Sequence, residues 1–305
     1  MRRTGYNWQM PSELLLDARA GLGEGPAWDA SRCLLYWVDI HTGRLHTYNP
    51  YEEIDSWIKV GESLGCVAPR PISLQTGGTN LVIASSSGFM TINLPSEQMD
   101  LLVNPEPHLT GNRFNDGKCD PAGRFLAGTM DNQEKEANGS LYSYSPDGTL
   151  KTLLTGVRIS NGLTWSPDTQ TFYHIDTPTR QVTAFDYDLA TGNIANPRPV
   201  VNVPPKLGWP DGMTSDAEGM LWVAMWGGAK LTRWNPATGQ LLEAIPVPVL
   251  NVTSCVFGGP DLTDLYITTA RKGMSEEQLA MYPLSGGLFR LRTKMVGIQT
   301  FVFGR

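Results

Sequence analysis

The chain has 305 residues, of which 41% are hydrophobic and 18% are charged, and its formal net charge is −6. This composition is typical of a soluble globular protein with a large core, and the acidic balance without a basic cluster argues against nucleic-acid binding. No window approaches the roughly 20 apolar residues of a membrane span. The first residues lack the apolar segment of a secretory signal. We therefore expect a cytoplasmic protein whose partners include neither nucleic acid nor membrane.

Short runs rich in β-branched and aromatic residues recur along the chain, separated by turn residues, and are typical of strands. A similar short segment, called here the lead-in, precedes each run. It consists of a small or polar triplet, an apolar residue and a turn. The lead-ins follow one another in the order EGPAWD, LGCVAP, NDGKCD, SNGLTW, PDGMTS and TSCVFG. Their spacing of roughly 45 residues, with several strands in each unit, indicates a β-propeller.

The sequence therefore predicts an all-β fold in which residues 1–305 form a single six-bladed β-propeller domain, with four-stranded antiparallel blades around a central channel. The one helical turn that the sequence predicts is SEEQLAM, 275–281. Two strand-like segments are left over, ELLLDAR near the start and VGIQTFVFG at the end. A ring of blades must be closed somewhere, and we expect these N- and C-terminal segments to pair and close it.

The tripeptide Pro-Asp-Gly, a strong turn sequence, occurs twice, at Asp147 and at Asp211. Asp147 follows the third strand of its unit, where the chain has to reverse, so we expect only a turn there. Asp211 instead begins an innermost strand, in register with Glu24, Asp116 and Asn161 of other units. Because innermost strands line the channel of a propeller, these residues are expected to meet in a ring at one of its ends.

Three carboxylates and an amide that converge at one end of the channel would repel one another unless a positive charge lies among them. Their oxygen atoms suit hard divalent cations such as Ca²⁺, Mg²⁺ and Mn²⁺. The four cysteines and four histidines are scattered, which does not favour a zinc finger or a redox motif. The repeat alone leaves an alternative open, in which the polar residues cap strand ends or bind water in the channel.

Five segments carry a resemblance to a known family. They are LGEGPAWD, NRFNDGKCDPAGRFLAGTM, SNGLTWSPD, PDGMTSDAEGMLWVAMWGG and CVFGGPDLTDLYITTAR. In this order and at blade spacing, they resemble the SMP-30/gluconolactonase/regucalcin-like (LRE-like) family of six-bladed propellers, which includes sugar lactonases. The resemblance implies a single divalent cation bound by Glu24, Asn161 and Asp211, with Asp211 also acting as the general base. It further implies that Arg113 and Asn115 contact the substrate.

The resemblance gives Asp116 a supporting role, since this residue directly follows the two substrate-binding residues. One departure from the family lies after the segment AGTM, where regucalcin-type members have an acidic residue that helps to hold the sugar. Aligned without gaps, this chain has Gln133 at that position and Glu134 one residue later. The departure leaves open which lactone is bound, and it does not affect the three metal ligands.

The tryptophans near the blade strands are expected to lie in the core between blades. These are Trp28, Trp165, Trp222, Trp226 and Trp234. Trp209, beside Pro-Asp-Gly and near the ring entrance, is the expected exception that faces a sugar.

These expectations lead to a carboxylic ester hydrolase of the lactonase type, which opens a sugar (aldono-)lactone to the aldonic acid. The cation polarises the lactone carbonyl, and we expect Ca²⁺, with Zn²⁺, Mg²⁺, Mn²⁺ and Fe²⁺ as alternatives. The expected oligomeric state is a monomer or a weak homo-oligomer. The alternative function is that of a calcium-binding regulatory protein of the regucalcin type without significant turnover.

Overall fold

The computed structural model describes residues 12–71 and 80–304. In these ranges, 24 strands form six antiparallel sheets of four strands each, accompanied by one α-helix and two short 3₁₀ turns, Thr177–Thr179 and Pro205–Leu207. The predicted lack of a secretory signal concerns mainly residues 1–11, which lie outside the described residues. That residues 1–305 form a single domain stays a prediction.

The strands have equivalent positions in the six blades. The innermost strands are β2 (Gly23–Asp29), β6 (Leu64–Pro69), β10 (Asn112–Cys119), β14 (Ser160–Trp165), β18 (Trp209–Ser215) and β22 (Asn251–Gly258). The second strands are β3 (Leu34–Asp39), β7 (Asn80–Ser85), β11 (Phe125–Asp131), β15 (Thr171–Asp176), β19 (Leu221–Trp226) and β23 (Asp264–Ala270). The third strands are β4 (Arg44–Asn49), β8 (Gly88–Asn93), β12 (Gly139–Tyr144), β16 (Gln181–Asp188), β20 (Lys230–Asn235) and β24 (Leu288–Arg292). The outermost strands are β5 (Ile54–Lys59), β9 (Gln98–Val103), β13 (Leu150–Val157), β17 (Asn193–Asn202), β21 (Gln240–Pro246) and β1 (Ser12–Leu16).

The six sheets form a closed ring. Each innermost strand contacts the innermost strands of the blades before and after it, and β22 contacts β2. The last blade takes its outermost strand from the start of the chain, because β1 pairs with β24. The six-bladed β-propeller predicted from the repeat is confirmed.

The prediction of a strand in the C-terminal segment VGIQTFVFG, pairing with the head, is wrong. Its strand-type pairing within the described residues is one isolated bridge, between Gly297 and Asp216. The head pairs instead with β24, the last strand before the tail, so the N-terminal strand closes the ring without the tail. The tail packs its aromatic rings into the clusters between blades, where Phe301 lies against Trp165 and Phe303 joins a neighbouring cluster.

Six clusters of buried apolar side chains fill the spaces between neighbouring blades. Successive side chains of a strand point to opposite faces of its sheet, so one strand contributes to two clusters. In β3, Leu35 and Trp37 pack towards the sixth blade, whereas Tyr36 and Val38 pack towards the second. Each such side chain stabilises the fold by about 1.5–3 kcal/mol through its removal from water.

The predicted helical turn is confirmed as α1 (Glu276–Met281). Its start is fixed by a capping box, in which Gln278 N donates to Ser275 Oγ at 3.2 Å and Ser275 N donates to Gln278 Oε1 at 3.0 Å. No helix in the described ranges is long and apolar enough to cross a membrane.

Candidate metal and catalytic site

Every innermost strand has an irregular register near the end at which it begins. The irregularities lie between Glu24 and Ala27, Leu64 and Cys66, Phe114 and Gly117, Asn161 and Leu163, Pro210 and Met213, and Val252 and Ser254. Such a bulge bends a strand and redirects a side chain, and bulges are common next to active sites. The predicted residues Glu24, Asp116, Asn161 and Asp211 all lie in these bulges, at equivalent positions of four blades.

Glu24, Asn161 and Asp211 line one cavity of about 490 Å³, called here the main cavity. All three side chains are buried. Asn161 Nδ2 donates a hydrogen bond to Asp211 Oδ1 on the neighbouring innermost strand, and it also donates to Thr177 Oγ1 at 3.1 Å. The structure thus brings the three predicted ligands together, and their binding of a metal stays a prediction.

The buried carboxylates of this site have raised pKa values. Burial raises the pKa of Glu24 well above its usual range, and the carboxylates of Asp211 and Asp116 raise it further. Burial also raises the pKa of Asp211, against the opposing hydrogen bond from Asn161. Within the described residues, no Lys or Arg forms an ion pair with any of these three carboxylates. The basic side chains nearby, Arg113 and Lys272, line the same cavity without forming an ion pair with these carboxylates.

These side chains fit a hard divalent cation, which prefers carboxylate and amide oxygens. No three His, Cys, Asp or Glu side chains in the described part of the chain are placed to hold a metal together, so the third ligand would be the amide of Asn161. Nδ2 of this amide faces Asp211, whereas a shared cation requires Oδ1 in that place. Rotation of the amide about χ2 would exchange the two atoms, and it would break the hydrogen bond that Oδ1 accepts from Gly162 N at 3.1 Å.

Asp116 differs from the other two carboxylates in having a cation close by in its own strand. Its Oδ1 accepts a hydrogen bond from Gly117 N at 2.7 Å, and its buried Oδ2 has no partner among the described residues. Burial raises the pKa of Asp116, and the Lys118 ammonium acts in the opposite direction. Lys118 Nζ is held in the channel by Met213 O. This arrangement is compatible with the supporting role that the resemblance implies.

Arg113 and Asn115 lie beside the acidic group and line the main cavity. Arg113 Nη1 donates to Asn115 Oδ1 at 2.7 Å, and Asn115 Nδ2 donates to Ser160 O at 2.9 Å. Burial lowers the pKa of Arg113 to about 10, although the Glu134, Glu24 and Asp211 carboxylates raise it. Arg113 therefore remains a cation at neutral pH, with amide and carbonyl partners that hold its guanidinium in place.

The segment after AGTM places Gln133 and Glu134 in different cavities. Glu134 lines the main cavity, whereas Gln133 lines a neighbouring cavity of about 580 Å³ on the other side of Arg113. Glu134 forms a hydrogen-bonded ion pair with Lys272. The acidic side chain that faces the main cavity is therefore Glu134, and its partner in this structure is a lysine.

Four of the five tryptophans predicted between blades are buried there, namely Trp28, Trp165, Trp222 and Trp234. Trp226 is an exception, because it is half-buried and lines the main cavity. It lies directly opposite Trp209 in the β18–β19 pair. Trp209 is 42% exposed and lines the same cavity, as expected for a ring near the entrance.

Sequence reasoning missed Thr177 and Lys272, which both contact predicted site residues. Thr177 lies in the turn after β15, accepts from Asn161 and donates to Pro210 O at 2.9 Å. Lys272 lies in the connection after β23. The sequence did contain a signal for both residues, because each follows the second strand of a repeat. In an antiparallel blade the second strand finishes at the same side of the channel at which the innermost strand starts.

The chain matches the family model described as "SMP-30/Gluconolactonase/LRE-like region" over residues 22–271. It is 38% identical over 294 residues to the protein named "Putative sugar lactone lactonase YvrE" of Bacillus subtilis, covering 96% of this chain and 99% of that protein. It is also 38% identical over 284 residues to regucalcin of Homo sapiens, covering 92% of this chain and 93% of regucalcin.

Two solved structures are similar in fold over nearly the whole chain. A luciferin-regenerating enzyme has a TM-score of 0.88 and 31% identity, with coverage of 96% of this chain and 98% of that one. A calcium-binding protein, regucalcin from Agrobacterium tumefaciens, has a TM-score of 0.90 and 26% identity, with coverage of 96% and 97%. The motifs, the propeller and these matches agree, and the chain belongs to the SMP-30/gluconolactonase/LRE-like family.

Proposed function

We propose that this protein is a lactonase that hydrolyses a sugar (aldono-)lactone to the aldonic acid, with a divalent cation held by Glu24, Asn161 and Asp211. One observation carries the proposal. Two buried carboxylates without an ion-pair partner in the described residues lie beside the guanidinium of Arg113 in a cavity of small-molecule size. The names of the relatives, a sugar lactone lactonase and regucalcins, support this type of reaction.

Asp211 is the proposed general base. A divalent cation bound here would supply a Lewis acid for the lactone carbonyl. With Asn161 turned so that its Oδ1 faces the cation, one carboxylate oxygen of Asp211 would hold the cation and the other would take a proton from the attacking water. When the acyl C–O bond breaks, Asp211 returns this proton to the leaving alkoxide, and the products are a carboxylic acid and a hydroxyl group.

Arg113 and Asn115 are the proposed substrate-binding residues. The planar guanidinium offers several donors to the hydroxyl groups or the carbonyl oxygen of the sugar. Its contact with Asn115 fixes its orientation before the substrate arrives. A site with two carboxylates, one amide and a 2+ cation is close to neutral, which suits an uncharged lactone.

Metal removal followed by a pH-stat assay over several aldonolactones tests the proposed function. Treatment with EDTA is expected to abolish acid release, and addition of Ca²⁺, Zn²⁺, Mg²⁺, Mn²⁺ or Fe²⁺ to restore it. Ca²⁺ is the first candidate, since a similar structure is described as calcium-binding. Full turnover by the chelated protein would contradict the proposal. Cation binding without turnover of any lactone would instead favour the regulatory alternative.

A further inference from the structure

Connections between second and third strands line the main cavity from the third, fourth and sixth blades, through Glu134, Thr177, Pro178, Lys272 and Gly273. The longest of these connections belong to the third and sixth blades, residues 132–138 and 271–287. In a ring of six blades these two are diametrically opposite. They are therefore placed to meet across the mouth of the main cavity.

The connection of the third blade is held rigidly at its base. Asp131 Oδ2 accepts hydrogen bonds from Lys135 N at 3.0 Å and Glu136 N at 3.1 Å, and Oδ1 accepts from Gln133 N at 3.1 Å. These bonds hold Glu134 in the left-handed region, with a φ of 63°, which is unusual for a residue other than glycine. The carboxylate of Glu134 thus projects from a fixed backbone.

The connection of the sixth blade is also fixed where Lys272 lies. Lys272 N donates to Gly21 O at 2.8 Å, and Lys272 O accepts from Asn251 Nδ2 at 3.2 Å. The mobile part is therefore the side chain, whose Nζ forms the ion pair with Glu134 Oε1. The side chains of Lys272 and Glu134 are 31% and 42% exposed, and exposed ion pairs of this kind are weak enough for a ligand to displace.

Lys272 also separates the main cavity from an outer cavity of about 380 Å³. Trp209 and Trp226 line both cavities, so they form a continuous aromatic wall past the lysine. Arg180 stacks on Trp209, with its guanidinium carbon 3.5 Å from the ring centroid, and donates to Gly208 O at 2.7 Å. Arg180 thus covers one face of the Trp209 ring and places its guanidinium in the lining of the outer cavity, where its remaining N–H groups can donate to sugar hydroxyls.

We propose that the Glu134–Lys272 pair is a bar across the mouth that determines the size of the lactone admitted. This inference rests on the proposed lactonase function. A monosaccharide lactone fits beneath the closed bar in the main cavity. A disaccharide lactone has to break the ion pair, so that its second sugar can enter the outer cavity beside Arg180 and Trp226.

The test compares kcat/KM for a monosaccharide aldonolactone and for a disaccharide aldonolactone. Glu134→Gln and Lys272→Gln each remove the bar, and each is expected to raise the disaccharide-to-monosaccharide ratio about tenfold. The double variant Glu134→Lys/Lys272→Glu restores an ion pair of opposite direction and should return the ratio to the wild-type value. Thermal unfolding of every variant confirms that it is folded.

Two outcomes would contradict the proposed role of the Glu134–Lys272 ion pair. One is an unchanged ratio in both single variants. The other is a raised ratio that persists in the charge-exchanged double variant, since this would show that Glu134 acts by itself on the substrate. Calorimetric binding of the neutral analogues glucitol and cellobiitol gives the same ratio without turnover. If the wild-type protein hydrolyses no lactone with any cation, the proposed function fails. The ratio of cellobiitol to glucitol binding still tests the role of the ion pair in that case.

Discussion

The two Pro-Asp-Gly segments have the same three residues and opposite surroundings. Asp147 is exposed in the turn between β12 and β13, and the amide of Thr149, which donates to its Oδ1 at 2.9 Å, lowers its pKa. Asp211 lies in the innermost strand β18, is buried, and has its pKa raised by burial. The turn expected at Asp147 is confirmed. The position of a residue in the repeat, rather than its immediate neighbours, decides between these two environments.

The glycines of the two segments differ in the same way. Gly148 has a φ of 88°, and a Cβ added there would contact nothing within 4 Å, so glycine is needed for its backbone conformation. Gly212 lies against the next innermost strand, where an added Cβ would be 2.1 Å from Ser254 Oγ. Glycine is therefore needed at position 212 to let two strands approach each other.

The largest expected difference between the segments is in turnover. Asp211→Asn removes the proposed base and one charge of the cation site, so kcat/KM for the aldonolactone that the wild type opens should fall about 10³-fold. Asp147→Asn is the matched control, and it should retain activity within about twofold of the wild type because surface changes of this kind have small effects. The pH-stat assay measures both variants. Comparable activities for the two would contradict the assigned roles.

Burial of His174 should make the stability of the protein depend on pH. His174 Nε2 is 2.9 Å from Ser160 Oγ beside Asn161, and burial lowers the pKa of His174 to about 4. As the pH falls, the imidazole of His174 is protonated in the unfolded chain before it is protonated in the folded protein. The contribution of neutral His174 to the free energy of unfolding is therefore complete above about pH 6.5 and is lost between about pH 6.5 and 4. The expected loss is about 3 kcal/mol of the free energy of unfolding.

Urea unfolding of the wild type and of His174→Gln at several pH values measures this loss. The two free-energy curves should converge as the pH falls through this window, because the variant has no imidazole to protonate. Parallel curves would show that His174 is not the group responsible.

A smaller effect is expected at the two glycines. Gly212→Ala overpacks the contact with Ser254 and should lower the free energy of unfolding by about 2 kcal/mol. Gly148→Ala should cost roughly 1–2 kcal/mol through backbone strain alone. Ser254→Gly should rescue Gly212→Ala in part, since Cα of residue 254 would still lie 2.8 Å from the added Cβ, and it should leave the effect of Gly148→Ala unchanged in urea unfolding. Equal effects of Ser254→Gly on both variants would remove the distinction between the two glycines.

The sequence allowed the six blades to be predicted because the turn residues recur with the repeat. The same register brought Glu24, Asn161 and Asp211 to equivalent positions, so their proximity could be foreseen. The Glu134–Lys272 pair could not, since both residues lie in connections whose lengths do not follow the repeat. The tail was misassigned because its apolar residues resemble a strand in sequence, whereas the rings of Phe301 and Phe303 pack into clusters between blades.

Three further expectations stay predictions, besides the single domain and the binding of a metal. They are the cytoplasmic location, the monomer or weak homo-oligomer, and the identity of the metal ion. The ring geometry bears on the last of these, because an all-oxygen site with two carboxylates favours a hard cation.

The most direct test of the central claim is calorimetric titration of Ca²⁺ into the chelated protein. The account predicts one binding site in the wild type and in Asp147→Asn, and none in Asp211→Asn or Glu24→Gln. Calcium binding that survives in Asp211→Asn and Glu24→Gln with the wild-type affinity would contradict it.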